Sequence, residues 1–187
     1  MIFDSAEGNW SGEVDNIIVG TVQLVVSLIA AIVMDKFQRK HLMIVSATMQ
    51  ALSLALLSLY LILKDKGVDV EAFRWAPLIC FLGFVSFYNI GVGPLWNTVV
   101  GELLPQSIKN TAMSFCGLLF GGLIFVFTIT FQRIEKSIGL GQTLIFFAIM
   151  SLSTSVYVAI FIVETKGKTL EEIQLELNGK KLKPAPL

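Results

Sequence analysis

Ser86, Asn89, Gly93 and Asn97 recur at three- and four-residue steps inside an otherwise apolar stretch, a spacing that lines them along one face of a helix. Asn16, Gln23 and Ser27 repeat the pattern in an earlier stretch. Amides and hydroxyls set in this way break no bonds. They trade hydrogen bonds, and a ligand rich in hydroxyl groups can replace its water contacts with them. Asn97 is the first candidate for such a contact, with Gln23 and Asn89 assisting and the ring of Trp96 next to it in sequence. The same stripes also serve contacts between neighbouring helices, and the sequence leaves both uses open.

Bond-breaking chemistry has no foothold in the apolar stretches. Neither a nucleophile with a base beside it nor a pair of carboxylates falls inside them, so the protein is not expected to be an enzyme. Cys80 and Cys116 lie in separate apolar stretches and read as small hydrophobes, while His41 is the single histidine. No metal site, no cofactor and no nucleic acid partner are expected.

Hydropathy sets the elements that carry these residues. Of the 187 residues 55% are hydrophobic and 15% charged, too little charge to cover a water-soluble domain of this length, so lipid is the implied solvent. A helix needs about 20 residues to cross about 30 Å of hydrocarbon. Five stretches meet that length: 14–34, 42–63, 75–100, 111–131 and 141–163. The expectation is an all-α integral membrane protein with a transmembrane bundle over 14–163, an extracellular segment 1–13 and a cytoplasmic tail 164–187.

The connections hold the charges. Lys36, Arg39 and Lys40, then Lys109, then Lys166 and Lys168 fall on one side, whereas Lys64, Lys66, Arg74, Arg133 and Lys136 on the other are mixed with acidic residues. The basic bias puts the first side in the cytoplasm, with the N-terminus outside, as expected for a multi-pass protein of the plasma membrane. Asn9-Trp10-Ser11 then lies where a glycosylation acceptor must lie.

Gly91, Gly93 and Pro94 crowd the third stretch. Proline lacks a backbone donor and clashes with the preceding turn, so a kink or partial unwinding is expected near Pro94, and these residues form a candidate hinge. In the fourth stretch Gly117, Gly121 and Gly122 make a small surface suited to close helix packing.

Three segments resemble motifs of the sugar porter family of the major facilitator superfamily. Asp35-Lys36-Phe37-Gln38-Arg39-Lys40 is similar to the family's charged loop between spans eight and nine. Gly93-Pro94 continues through Gly101-Glu102-Leu103-Leu104-Pro105 to Lys109, and Glu164-Thr165-Lys166-Gly167-Lys168-Thr169-Leu170-Glu171-Glu172-Ile173 resembles the C-terminal signature almost residue for residue. The order of the sequence is most similar to the insect trehalose-carrying branch.

The resemblance covers nearly the whole chain and implies a partial major facilitator fold, with five transmembrane helices corresponding to spans 8–12. It implies the C-terminal fragment of a facilitative sugar transporter for trehalose or a hexose, whose partners are the sugar, membrane lipid and a missing N-terminal half. It also implies a gate whose charge network takes in Asp35, Arg39, Lys40, Glu102, Lys109 and Glu164. The chain departs from the family pattern in several places. Lys36 and Lys109 stand in for arginine, Gln38 for glycine and Val163 for proline. Gly93-Pro94-Leu95-Trp96-Asn97 aligns with Gly-Pro-x-Pro-Trp. The alternative expectation is a truncated, non-transporting membrane protein with a structural or regulatory role.

Overall fold

The computed structural model describes residues 12–68, 73, 75–105, 107–168, 172 and 173; of 12–16 and 35 it describes the backbone alone. Asn9 lies outside this set, as does the tail after Lys168 except for Glu172 and Ile173. Six helices follow in order: α1 (Gly12–Lys36), α2 (Arg39–Asp65), α3 (Ala76–Ile90), α4 (Val92–Leu103), α5 (Lys109–Ile138) and α6 (Leu140–Phe161). With α3 and α4 counted as one span, five spans among the described residues are long and apolar enough to cross a membrane.

The surface is inverted relative to that of a water-soluble bundle. Leu118 is 77% exposed and Phe125 67%, whereas Ser58 and Thr143 are 0% exposed. Lipid solvates the leucines and phenylalanines but leaves a hydroxyl without a partner, so hydroxyls either turn inward to a neighbouring helix, as Ser58 does, or bond a carbonyl one turn back in their own helix, as the exposed Thr21 and Thr128 do.

Helix α2 is the spine of the bundle, packed along α6 on one side and α3 on the other. Its seam with α6 is closed by small hydroxyls. Ser58 donates to the Gly141 carbonyl at 2.6 Å, Ser151 donates to the Ala47 carbonyl at 2.9 Å, and the Thr48 and Ser155 hydroxyls lie 2.9 Å apart. A methyl group at Gly141 would come 2.7 Å from the Ile62 side chain, so glycine sets how closely the two backbones approach. Leu54, Leu57, Leu61, Leu144 and Ala148 fill the same interface with apolar contacts.

Helix ends depart from the hydropathy boundaries where local chemistry intervenes. α2 continues to Asp65 and closes on Gly67 at φ +76°, with the Val68 N–H reaching the Leu63 carbonyl, a glycine-terminated cap that charge counting does not reveal. α5 runs to Ile138, past the apolar stretch expected to end at 131, because Arg133, Glu135 and Lys136 are good helix formers; Gly139 at φ +89° stops it. The single helix expected over 75–100 is two helices divided at Gly91. Pro94, the third residue of α4, falls in a first turn whose N–H groups have no intrahelical partner, so its missing donor is not felt there.

The expected packing of Gly117, Gly121 and Gly122 is not made within this chain. A methyl group at any of the three would meet nothing within 4 Å, and α5 has no buried residue. Among the described residues its main contacts are with α6 and α4, each over a narrow area.

Candidate substrate cleft and charged cluster

The break at Gly91 turns α4 so that Trp96 and Asn97 face α5 across a cleft of about 370 Å³. Tyr88, Gly93, Cys116 and Gly117 also border it. Although about 100° separates adjacent residues on a helix, Trp96 and Asn97 both reach this cleft because α4 and α5 barely touch and leave a wide opening between them. A cleft of this volume is within the range of small-molecule sites, and it combines a ring, an amide and a phenol. Rings stack on the apolar face of a sugar while amides and hydroxyls bond its rim.

Asn89 faces a smaller cavity of about 230 Å³ between α1 and the α3–α4 break, together with Ser27 and Pro94. Its Nδ2 donates to the Val85 carbonyl at 2.8 Å, and its Oδ1 lies 3.4 Å from the Ser27 hydroxyl. The Ser27 proton has a shorter acceptor in the Gln23 carbonyl at 2.8 Å. Gln23 itself is exposed on α1 and lines neither cavity, so the structure brings Trp96 and Asn97 together, sets Asn89 next door and leaves Gln23 apart.

Tyr88 borders both cavities, and sequence reasoning missed it. Its ring lies against Gly93, where an added methyl would come 2.9 Å from Cε1. Gly93 is therefore small because an aromatic ring occupies the space above it. An aromatic residue one position before Asn89 and five before Gly93 was the available signal.

At one end of the bundle the chain gathers α2, α4 and the segment after α6. The Arg39 guanidinium forms an ion pair with Glu102, and Arg39 Nη1 lies 3.5 Å from Thr165 Oγ1. Among the described residues Glu164 bonds to backbone rather than to a side chain. Its Oε1 accepts the backbone N–H groups of Arg39 at 3.1 Å and Lys166 at 2.9 Å, and its Oε2 accepts that of Lys40 at 3.0 Å. Lys40 thus contributes its amide to the cluster. The Lys109 side chain passes over Gly101, with Nζ 3.7 Å from where a methyl there would sit, near the C-terminal end of α4. Asp35 is in the last turn of α1 and its side chain lies outside the described residues.

The departures from the family motif are accommodated. Gln38 takes an ordinary extended conformation (φ −68°, ψ 133°) with its side chain exposed. Ile162 leaves helical geometry at ψ 128° without a proline after it, which directs Glu164 toward α2.

An all-α bundle that exposes its apolar side chains along five spans long enough to cross a membrane is a multi-pass membrane protein. The chain matches the family described as "Sugar (and other) transporter" over residues 1–177 and belongs to that family, one of membrane carriers rather than enzymes. It is 35% identical over 178 residues to the facilitated trehalose transporter Tret1 of Bombyx mori, an alignment covering 95% of this chain and 35% of the relative. It is 32% identical over 180 residues to the Anopheles gambiae protein of the same name, covering 96% of this chain and 23% of the relative. The inward-open xylose transporter XylE from E. coli superposes with a TM-score of 0.76 at 25% identity, over 87% of this chain and 35% of that one. A D-xylose-proton symporter shares the fold with a TM-score of 0.72. The chain therefore spans about a third of the length of these solved structures, about a third of the Bombyx mori relative and about a quarter of the Anopheles gambiae one.

Proposed function

We propose that this chain forms part of a facilitative sugar transporter that carries trehalose or a hexose past the cleft between α4 and α5. The observation that carries the reading is the placement of Trp96 and Asn97 on one cleft, beside a helix break, in a chain of the sugar transporter family. Trp96 supplies the stacking face, and Asn97 and Tyr88 supply directional hydrogen bonds. In this reading the opposing wall comes from an N-terminal half outside this chain, and the match covering only 35% of the Bombyx mori relative supports it. Transport involves no covalent step. Bound sugar favours one arrangement of two helix bundles over the other, and the concentration gradient sets the direction.

The cluster of Arg39, Glu102 and Glu164 is the gate in this reading. It lies at the cytoplasmic end, with the N-terminus outside in the plasma membrane, and opening breaks the partly exposed Arg39–Glu102 pair while the Glu164 cap persists. Asp35, Lys40 and Lys109 belong to the same gate, and Gly91, Gly93 and Pro94 form its hinge. The basic bias of that side supports the orientation.

The test is sugar uptake into vesicles by a transporter whose C-terminal part is this chain. Asn97→Ala should lower apparent affinity for the carried sugar about tenfold, the effect of one directional hydrogen bond, and Trp96→Ala should weaken it further. Unchanged affinity in both variants overturns the assignment of the cleft.

A further inference from the structure

Ser46, in the second turn of α2, lies directly against the α3–α4 break. Its hydroxyl donates to the Phe87 carbonyl, in the last turn of α3, at 2.5 Å and accepts the N–H of Val92, the first residue of α4, at 3.2 Å. One buried hydroxyl therefore serves both sides of the break. In an unbroken helix the Val92 N–H would bond the Tyr88 carbonyl. At Gly91 the backbone turns away, and in lipid an N–H left without a partner costs several kcal/mol, so Ser46 supplies the partner that makes the broken form tenable.

Gly91 lets that hydroxyl approach. A methyl group at Gly91 would sit 2.5 Å from Ser46 Oγ and 3.0 Å from the Leu42 carbonyl oxygen, so the break rests backbone-to-helix on α2. Just beyond it, Leu95 and Val99 bury against Met43, which fixes one face of α4 on the spine and turns Trp96 and Asn97 outward to the cleft. The direction in which α4 leaves the break thus depends on where Ser46 holds Val92.

We propose that Ser46 is a positioning residue for the cleft: it holds the α3–α4 break in the geometry that presents Trp96 and Asn97 to α5. The inference rests on the reading of that cleft as the sugar site. Without the hydroxyl, Val92 N–H divides its time between no partner and the Tyr88 carbonyl, and α4 swings about Gly91. Cys116 reports the swing, because it lines the same cleft from the α5 side.

The test uses the full chain in phosphatidylcholine nanodiscs, in a Cys80→Ala background so that Cys116 is the single thiol. Three variants are compared: the parent, Ser46→Ala, and Ser58→Ala, which loses an interhelix hydroxyl bond of similar burial far from the break. Ser46→Ala should speed hydrogen exchange at the Val92 amide about tenfold and change the rate of Cys116 alkylation by N-ethylmaleimide at least about threefold, with Ser58→Ala leaving both near the parent. The proposal is overturned if Ser46→Ala moves neither rate, or if Ser58→Ala moves them as far. If circular dichroism shows that Ser46→Ala does not fold, Ser46→Cys, read by Val92 exchange alone, takes its place under the same criteria. Trehalose and glucose are tested separately for slowing Cys116 alkylation in a transporter whose C-terminal part is this chain, with the opposing wall in place and Cys116 as its single cysteine. Failure there removes the sugar reading of the cleft and leaves the exchange result to judge Ser46.

Discussion

The carboxylate of Glu164 caps the helix that begins at Arg39, reaching it from 125 residues further along the chain. The residue at the conventional capping position, Gln38, makes no side-chain cap bond, so the first N–H groups of α2 find their acceptor in a distant segment. A carboxylate at a helix N-terminus also meets the positive end of the helix dipole. This contact fastens the exit of α6 to the entrance of α2 and places Thr165 beside the Arg39 guanidinium.

Glu164→Ala should lower stability by about 1–2 kcal/mol, the usual effect of losing a cap, and Glu164→Gln by less, since its amide oxygen still accepts one of the bonds. Thermal unfolding in detergent micelles measures both. Equal midpoints for parent and Glu164→Ala would show that the cap contributes nothing.

The Arg39–Glu102 pair is a quarter to a third exposed, so water and salt screen it. A double-mutant cycle with Arg39→Ala and Glu102→Ala should give a coupling of about 0.5–1 kcal/mol at low salt, shrinking at 1 M salt. Arg39→Lys keeps the charge but loses the fork that reaches Glu102 and Thr165 together, and should recover less than half of the coupling. In a transporter containing this chain, Arg39→Ala should shift the balance of inward- and outward-facing forms. Identical accessibility of engineered cysteines on both faces in variant and parent would contradict a gating role.

Two glycine substitutions should behave in opposite ways. At Gly91 an added methyl drives into Ser46 and the Leu42 carbonyl, and Gly91→Ala should cost about 1–3 kcal/mol by forcing α3 and α4 away from α2. At Gly121 the methyl enters open space, and Gly121→Ala should stay within about 1 kcal/mol of the parent in this chain. Denaturant titration of the two variants side by side decides the point, and the idea fails if Gly121→Ala is the more damaging.

The hydroxyl seam between α2 and α6 should yield to single deletions. Ser58→Ala strips the Gly141 carbonyl of its donor from α2, and Ser155→Ala removes the contact to Thr48. Each should weaken the pairing by about 0.6 kcal/mol, the average for hydrogen bonds between membrane helices, and by no more than about 1.7 kcal/mol. Unfolding by increasing sodium dodecyl sulfate fraction reads the loss, and no shift in either variant would leave the seam to apolar packing alone.

Much of the architecture was legible in the chain as written. Five apolar stretches of sufficient length announced five spans, and Gly91, Gly93 and Pro94 announced an interruption of the third. Less was legible at the cleft. Trp96 and Asn97 stood out by type, but Tyr88 was hidden among aromatics, and Ser46 looked like one more small residue in an apolar helix. The close packing expected from Gly117, Gly121 and Gly122 is absent within the chain because α5 lies almost clear of its neighbours, which no local pattern records.

The sequence by itself determined the solvent, the number of spans and the stretch in which a helix is interrupted, because hydropathy sums over neighbouring residues and a cluster of glycines and proline weakens a helix locally. Only the tertiary structure decided that Glu164 would cap α2, that Ser46 would bridge the break and that Trp96 and Asn97 would share one cleft. Hydrogen bonds act over about 3 Å and only at narrow angles. Lipid obliges each inward polar group to find a partner, but which partner comes within reach is set by how the helices lie against one another, and that is a property of the packed chain as a whole.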